Sequence, residues 1–313
     1  MNSKQFHPYN YLDAYLKRRF NAKTIKITLN GQFSCPNRDG TISTLGCLFC
    51  SEKGSGDFAG NPLLSLKDQF LEVKTRQEKK WSNAKYIAYF QANTNTYGPL
   101  EKIKNLCEEA ITLDDQIVAI SLATRCDCLN NEILDYLESL NKRIPVWIEL
   151  GLQTSNDETK AMLNLGYNNA TFLQAVKSLN DRHIEVIVHI INGLPNETKD
   201  MMLKTIDFIN HLPIQGLKIH NLVIIKNTPL GYWFMKNPFP MLSLTEYLDI
   251  LSDQIAKLNP NIVIHRISGD APHSLLIAPK WSQNKKIIIN ELDKTLFLKH
   301  YHQGSIYEKR CSQ

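Results

Sequence analysis

Residues 24–50 read TIKITLNGQFSCPNRDGTISTLGCLFC. The first six residues, Thr24–Leu29, are β-branched and apolar enough for a buried strand. The loop after them holds Cys35, Cys47 and Cys50 in a Cys-x11-Cys-x2-Cys spacing. A CxxC pair sets two thiolates close enough for one metal centre, and a third thiolate upstream completes one face of it. Three ligands, not four, is the informative count. A structural zinc site closes with four ligands, and a [4Fe–4S] cluster normally takes four thiolates. Three thiolates leave one iron open for an exogenous ligand. No histidine lies near in sequence, although His7 or a distant histidine could fold in. Free thiols, or zinc with a remote fourth ligand, stay open at this point.

Outward from that loop, short β-rich runs alternate with longer amphipathic stretches. The expected strands are Thr24–Leu29, Lys85–Gln91, Gln116–Leu122, Pro145–Leu152, Glu185–Ile191, Leu217–Ile225 and Ile262–Ile267. They are rich in Ile and Val and mostly continuous, as strands covered on both faces tend to be. The expected helices are Tyr9–Phe20, Leu64–Lys80, Leu100–Ile111, Asn131–Leu140, Asn169–Asn180, Glu197–His211, Leu244–Leu258 and Trp281–His302. Asn130 or Asn131 caps the fourth, and Ser243 with Glu246 opens the seventh. Such alternation predicts an α/β fold, a partial or full (β/α) barrel with parallel strands and right-handed crossovers. Nothing reads as a linker, repeat or low-complexity tract. A single domain over residues 1–313 is expected, with an N-terminal extension at about 1–22 and a C-terminal helical extension at about 280–313. In such a barrel, reactive groups belong just beyond the C-terminal strand ends. The segments there are polar or rich in Gly and Pro.

Composition narrows the class. The 313 residues are 43% hydrophobic and 21% charged, which excludes a disordered chain. Seven cysteines, an odd number, argue against a fully paired disulfide framework. Met1–Asn10 lacks an apolar signal core, and no stretch reaches the roughly 20 apolar residues of a membrane helix. A reduced, cytoplasmic, globular protein with no membrane partner is expected. The net charge of +5 is uneven: residues 1–50 carry 7 basic and 2 acidic side chains, and residues 280–313 carry 7 and 3. Basic ends around a mildly acidic body could form a polyanion footprint if they meet in space.

An open iron matters because S-adenosylmethionine (SAM) can chelate it through its amine and carboxylate. One electron then cleaves the sulfonium to give a 5′-deoxyadenosyl radical. The chain resembles radical SAM enzymes. More narrowly, it is similar to the small elongator-related bacterial family (the YhcC-like group) whose first motif reads C-P-N-R-D-G-T…G-C-x-F-C. The likeness continues through Ala88–Tyr97, Thr124–Leu129, Glu149–Thr154, His189–Thr198, Lys218–His220 and His265–Pro272, so it spans nearly everything from Tyr9 to Trp281. There are two departures. Family members usually have Pro in place of Cys126, which argues against that cysteine as a ligand. They also have an N-R-G-H-like run where this chain has Asn164-Leu165-Gly166-Tyr167.

The resemblance implies that Cys35, Cys47 and Cys50 bind a [4Fe–4S] cluster. It implies that Phe49 lies against the adenine of SAM, and that Gln91 and Asn93 meet its methionine end. Gln153 and His189 are expected near the ribose, and Arg125 near the SAM carboxylate. Glu149 sits inside a strand pattern as an inward barrel residue. Cys107 reads as a buried small hydrophobe, Cys126-x-Cys128 is weak evidence for a second cluster, and Cys311 falls in a frayed tail. The candidates facing the substrate are Tyr97, Lys218, His220, Arg266, Asp270 and His273, a mixture that suits a polar or anionic molecule. The family's link to the elongator catalytic subunit suggests tRNA, with the side chain of a wobble uridine as target. The basic ends (Lys17, Arg18, Arg19, Lys23, Lys26, Arg38, Lys280, Lys285, Lys286, Lys294 and Lys299) are then candidates for holding phosphates. An external electron donor of flavodoxin or ferredoxin type is implied. The alternatives are a radical SAM enzyme acting on a small anionic metabolite, and a non-catalytic zinc- or cluster-bearing binding protein.

Overall fold

Side chains along a strand point to opposite faces in turn, and in this chain the two faces differ sharply in polarity. The computed structural model describes residues 7–307. In chain order its elements are α1 (Leu12–Phe20), β1 (Thr24–Leu29), α2 (Leu66–Glu78), β2 (Lys85–Phe90), α3 (Leu100–Thr112), β3 (Ile117–Thr124), α4 (Asn131–Asn141), β4 (Val146–Gln153), α5 (Asp157–Met162), α6 (Asn169–Asn180), β5 (Glu185–Asn192), α7 (Lys199–Asn210), β6 (Gly216–Asn221), β7 (Ile224–Ile225), α8 (Pro229–Lys236), α9 (Leu244–Lys257), β8 (Val263–Arg266), β9 (Leu276–Ala278) and α10 (Lys285–Leu298). Seven strands form one parallel sheet in the order β1-β2-β3-β4-β5-β6-β8, the half-barrel of the expected α/β class.

The outer face is uniformly apolar. Val146, Ile148, Leu150 and Leu152 of β4, and Val186, Val188 and Ile190 of β5, are buried against residues such as Leu137, Phe172 and Ile206 of the flanking helices. The inner face changes character with depth. Near the N-terminal strand ends, Ile87, Ala119, Trp147 and Ile187 pack against Leu12, Tyr15, Leu16 and Phe20 of α1. Helix α1 therefore plugs the bottom of the barrel. Two residues further along each strand come Tyr89, Ser121, Glu149 and His189, joined by Lys26 and Lys218. The strands are thus not apolar on both sides: their inward positions become polar at mid-depth.

Two expected elements split. The run 217–225 breaks after Asn221, where the Asn221 side chain accepts from the Gly269 amide at 2.8 Å. Residues Ile224–Ile225 leave the main sheet and pair antiparallel with β9. The expected helix 281–302 becomes a 3₁₀ turn at Lys280–Gln283 and then α10, which Asn284 caps by accepting from the Ile287 amide. The Asn130 cap on α4 and the Ser243–Glu246 capping box on α9 are present. Among the described residues no helix is long and apolar enough to cross a membrane.

Candidate active site in the barrel mouth

The cysteine loop is held down by polar groups of its own. Asn37, fully buried, donates to the Asn164 carbonyl at 2.6 Å and toward Cys47 Sγ at 3.4 Å. The Arg38 guanidinium donates to the carbonyls of Cys50 (3.1 Å), Ser51 and Glu52 (3.0 Å), so it grips the loop just after the CxxC pair. The hydroxyls of Thr41 and Tyr97 meet at 2.7 Å, and the Leu230 amide at the start of α8 donates to the Leu48 carbonyl at 2.9 Å. Gly54 has φ +59°, and a Cβ there would stand 1.8 Å from Asn93 Oδ1. Only glycine lets the loop lie this close to the end of β2.

Cys35, Cys47 and Cys50 line one cavity of about 440 Å³, within the usual range for small-molecule sites. Burial, with the neighbouring Cys50 and Cys35 thiols, pushes the Cys47 thiol up to about 12. Burial also raises Cys50. A thiol raised in this way keeps its proton until a cation takes its place. Phe49, Gln91, Asn93, Gln153 and Tyr167 line the same cavity. The Tyr167 hydroxyl donates to the Gly151 carbonyl at 2.8 Å, and the Arg125 guanidinium lies over its ring at 5.0 Å.

The floor is a charge network centred on Glu149, which is 1% exposed. Its Oε1 accepts from Lys26 Nζ and from Ser121 Oγ (2.9 Å). Its Oε2 accepts from Lys218 Nζ and from His189 Nε2 (2.8 Å). Lys218 also donates to the Tyr89 hydroxyl at 3.3 Å, and both lysines lie 4.7 Å from the centre of that ring. Burial opposes ionisation of Glu149, but Lys218 and Lys26 outweigh it and hold the carboxyl well below its ordinary range. Burial and the charge of Lys26 bring Lys218 down to about 7. Burial, then the charge of Lys218, brings His189 down to about 4, so it is neutral and its Nε2–H is the donor.

The sequence pattern of the Radical SAM superfamily matches residues 39–209, and that of the Radical_SAM C-terminal domain matches residues 214–297. The chain belongs to the radical SAM superfamily. It is 42% identical over 306 residues to the uncharacterized protein YtqA of Bacillus subtilis (strain 168), covering 98% of this chain and 94% of that one. It is 34% identical over 298 residues to protein YhcC of Escherichia coli (strain K12), covering 95% and 94%. It is 24% identical over 174 residues to a tRNA uridine(34) acetyltransferase of Methanocaldococcus infernus, covering 53% of this chain and 31% of that protein. The fold resembles that of the archaeal Methanocaldococcus infernus Elp3 with a TM-score of 0.67 at 16% identity, over 90% of this chain and 64% of that one.

Radical SAM enzymes use a [4Fe–4S] cluster and SAM. The donor set of this chain fits the pair in its chemistry: three thiols line one cavity together with several amides and a ring, although among the described residues no three such side chains already stand together as a metal site. Gly151 opens space in the same cavity, since a Cβ there would come within 2.4 Å of Gln153 Nε2.

The remaining expected residues divide. Lys218, His220, Arg266 and Asp270 line the cavity, with Asp270 paired to Lys285. Tyr97 and His273 do not line it. Tyr97 braces the cysteine loop, and His273 is exposed. Arg125 is engaged by Asp127 through two prongs, Nε–Oδ1 at 2.9 Å and Nη2–Oδ2 at 2.6 Å, so its fork is already occupied. Cys107 and Cys126 are buried away from the cavity, Cys128 Sγ faces Asp127 at 3.6 Å, and Cys311 lies outside the described residues. Much of the expected basic footprint is internally neutralised. Lys17 and Lys23 pair with Asp13, Arg19 with Glu185, and Lys299 with Asp249 and Asp253. Lys26 and Arg38 are site residues. The N-terminal group rides on α1, at the end of the barrel opposite the cysteine loop. From the sequence, Tyr89, Ser121 and Tyr167 had no site role, and Lys26 counted among the basic ends that would hold phosphates. Inward parity with Glu149 was the signal available for Tyr89, Ser121 and Lys26.

Proposed function

We propose that this radical SAM enzyme remodels the side chain of a tRNA wobble uridine. The observation that carries this reading is the similarity to a tRNA uridine(34) acetyltransferase across half of the chain. In this reading Cys35, Cys47 and Cys50 hold the cluster, on a loop that Arg38 and Asn37 keep in place. Phe49, Gln91, Asn93, Gln153 and His189 hold SAM, an assignment supported by their sharing one cavity with the three thiols. When bound, the cluster and SAM supply a 5′-deoxyadenosyl radical. The chain's own part is to position and shield: α1 closes the far end of the barrel, and the floor keeps its charges fixed by mutual pairing. Residues 1–313 act as one unit in the cytoplasm, where thiols stay reduced, with an external flavodoxin- or ferredoxin-type donor supplying the electron. The cationic floor also favours a second reading, the same chemistry on a free anionic metabolite.

Anaerobic purification tests the chemistry. A brown protein that cleaves SAM to 5′-deoxyadenosine on reduction is expected, and Cys47→Ala loses both colour and cleavage. Nucleoside mass spectrometry of tRNA from a deletion strain tests the substrate. An unchanged profile overturns the tRNA reading and leaves the metabolite one.

A further inference from the structure

The floor of the cavity carries more positive charge than it can neutralise. Lys26 on β1, Lys218 on β6 and Arg266 at the end of β8 all line it. Three carboxylates line the cavity: Asp57 accepts from the Ser51 hydroxyl at 2.7 Å on the cysteine-loop side, and Asp270 is spent on Lys285. Glu149 is left to serve both lysines. The Arg266 side chain makes no hydrogen bond or ion pair among the described residues, yet its charge is felt by Tyr89, Lys218 and His220. Donor capacity is also unspent. An ammonium has three N–H groups; Lys218 uses one on Glu149 and one on Tyr89, and Lys26 uses one on Glu149. Above them His220 Nε2 is buried without a partner. Arg266 is exposed, so its fork is open to an incoming group; a buried polar atom such as His220 Nε2 is ordinarily paired, and a recessed pocket with low-dielectric walls concentrates positive potential.

We propose that this floor is a subsite for an oxyanion, a carboxylate or a phosphate, carried by the substrate and separate from the carboxylate of SAM. Arg266 offers the free fork that such a group prefers, and Lys26 and Lys218 offer the spare ammonium donors. Glu149 is then an internal anion. It keeps the lysines in place between turnovers and competes with the incoming group. The subsite rests on the enzymatic reading above but not on tRNA, since either a modified nucleoside or a free metabolite can carry the anion.

Isothermal titration of malonate and of inorganic phosphate into the cluster-loaded, SAM-saturated protein tests this, at constant ionic strength in chloride. Saturable binding of one of them is expected, and the one that binds identifies the carboxylate or the phosphate class. Arg266→Gln, a change at an exposed side chain, should weaken it by about tenfold. At pH ~6, where Lys218 keeps its proton, Glu149→Gln should tighten it by about tenfold, because a nearby negative charge is removed; a merely structural Glu149 predicts no tightening. No saturable binding, binding that SAM displaces, or binding unchanged in Arg266→Gln overturns the proposal. If Glu149→Gln fails to fold, Arg266→Gln still decides it. Oxyanion binding together with an unchanged tRNA profile refutes only the tRNA reading. Absent binding with an altered tRNA profile refutes only the subsite.

Discussion

Replacing Glu149 by Gln removes one charge and almost no volume, and the hydrogen-bond pattern dictates its cost. Glu149 receives four donors, two on each oxygen. An amide has one oxygen, so one side of the group must turn from acceptor into donor. Ser121 can rotate its hydroxyl to accept, and neutral His189 can accept after a tautomer change. A charged lysine can do neither. Whichever way the amide turns, Lys26 or Lys218 faces an N–H and loses its counter-ion. Breaking a buried pair in this way costs about 3–5 kcal/mol, or about 5–10 °C in Tm for a chain of this size. Lys218 provides the relief. With its ammonium already brought down to about 7, it sheds its proton more readily without Glu149, and a neutral amine can accept. A lysine whose folded pKa is depressed makes the native state hold fewer protons than the unfolded one, so its burden lightens as pH rises. The penalty should therefore be greatest near pH ~6 and shrink above pH ~8. Adding Lys218→Met should recover part of the loss. Anaerobic thermal melts of the three proteins at the two pH values check this. A single variant within about 1 °C of the parent at pH ~6, or a penalty independent of pH, would refute the reasoning.

Three further outcomes follow from other contacts. Arg38→Met removes the donors that grip the carbonyls after the CxxC pair, so bleaching of the cluster by a chelator should quicken by about tenfold while far-UV dichroism is unchanged; equal bleaching rates would deny Arg38 that role. Trp147, 1% exposed, fills the bottom of the barrel against α1, and Trp147→Ala should cost about 3–5 kcal/mol in a denaturant melt; a loss under about 1 kcal/mol would mean the plug packs loosely. Oxyanion affinity should fall as pH rises through about 7, where burial and Lys26 place the Lys218 proton, with Glu149, Arg266, His189 and Tyr89 as its other neighbours; affinity that rises over the same range would contradict the assignment.

The strand–helix alternation was legible because each strand keeps an unbroken apolar outer face, and the parallel order follows from the crossovers. Three elements escaped. Thr228-Pro229 is a sound helix start, with Thr228 accepting from the Gly231 amide at 2.9 Å, but the residues after it expose Tyr232 and Met235 and give no clear apolar stripe. Helix α5 has six residues, too few for periodicity to register. Strand β9 has three and exists only because β7 leaves the main sheet. In the site, the spacing put Cys35, Cys47 and Cys50 on one loop, and the fold brings all three to one cavity. The floor was only partly so. Lys26 reads as one more basic residue in a basic N-terminal stretch until the register of β1 beside β2 turns it inward. Arg125 was expected near the SAM carboxylate; Asp127, two residues on, accepts from two of its donors. Pairing of charges across strands is decided by curvature, which a linear pattern does not carry.

The plug formed by α1 also bears on when the barrel can close. Its approach is stitched to the far end of the chain: the Asn10 amide donates to Gln303 Oε1 at 2.8 Å across 293 residues, and the Gln303 amide donates back to the Pro8 carbonyl at 2.8 Å. Tyr11 bridges to Ile264 at the start of β8. The first two contacts need residue 303 and the third needs residue 264, so none can form early in synthesis. Contacts this distant in sequence are also among the slowest to find each other. During synthesis the three cysteines therefore emerge long before the segment that ties α1 to the base of the barrel has been made.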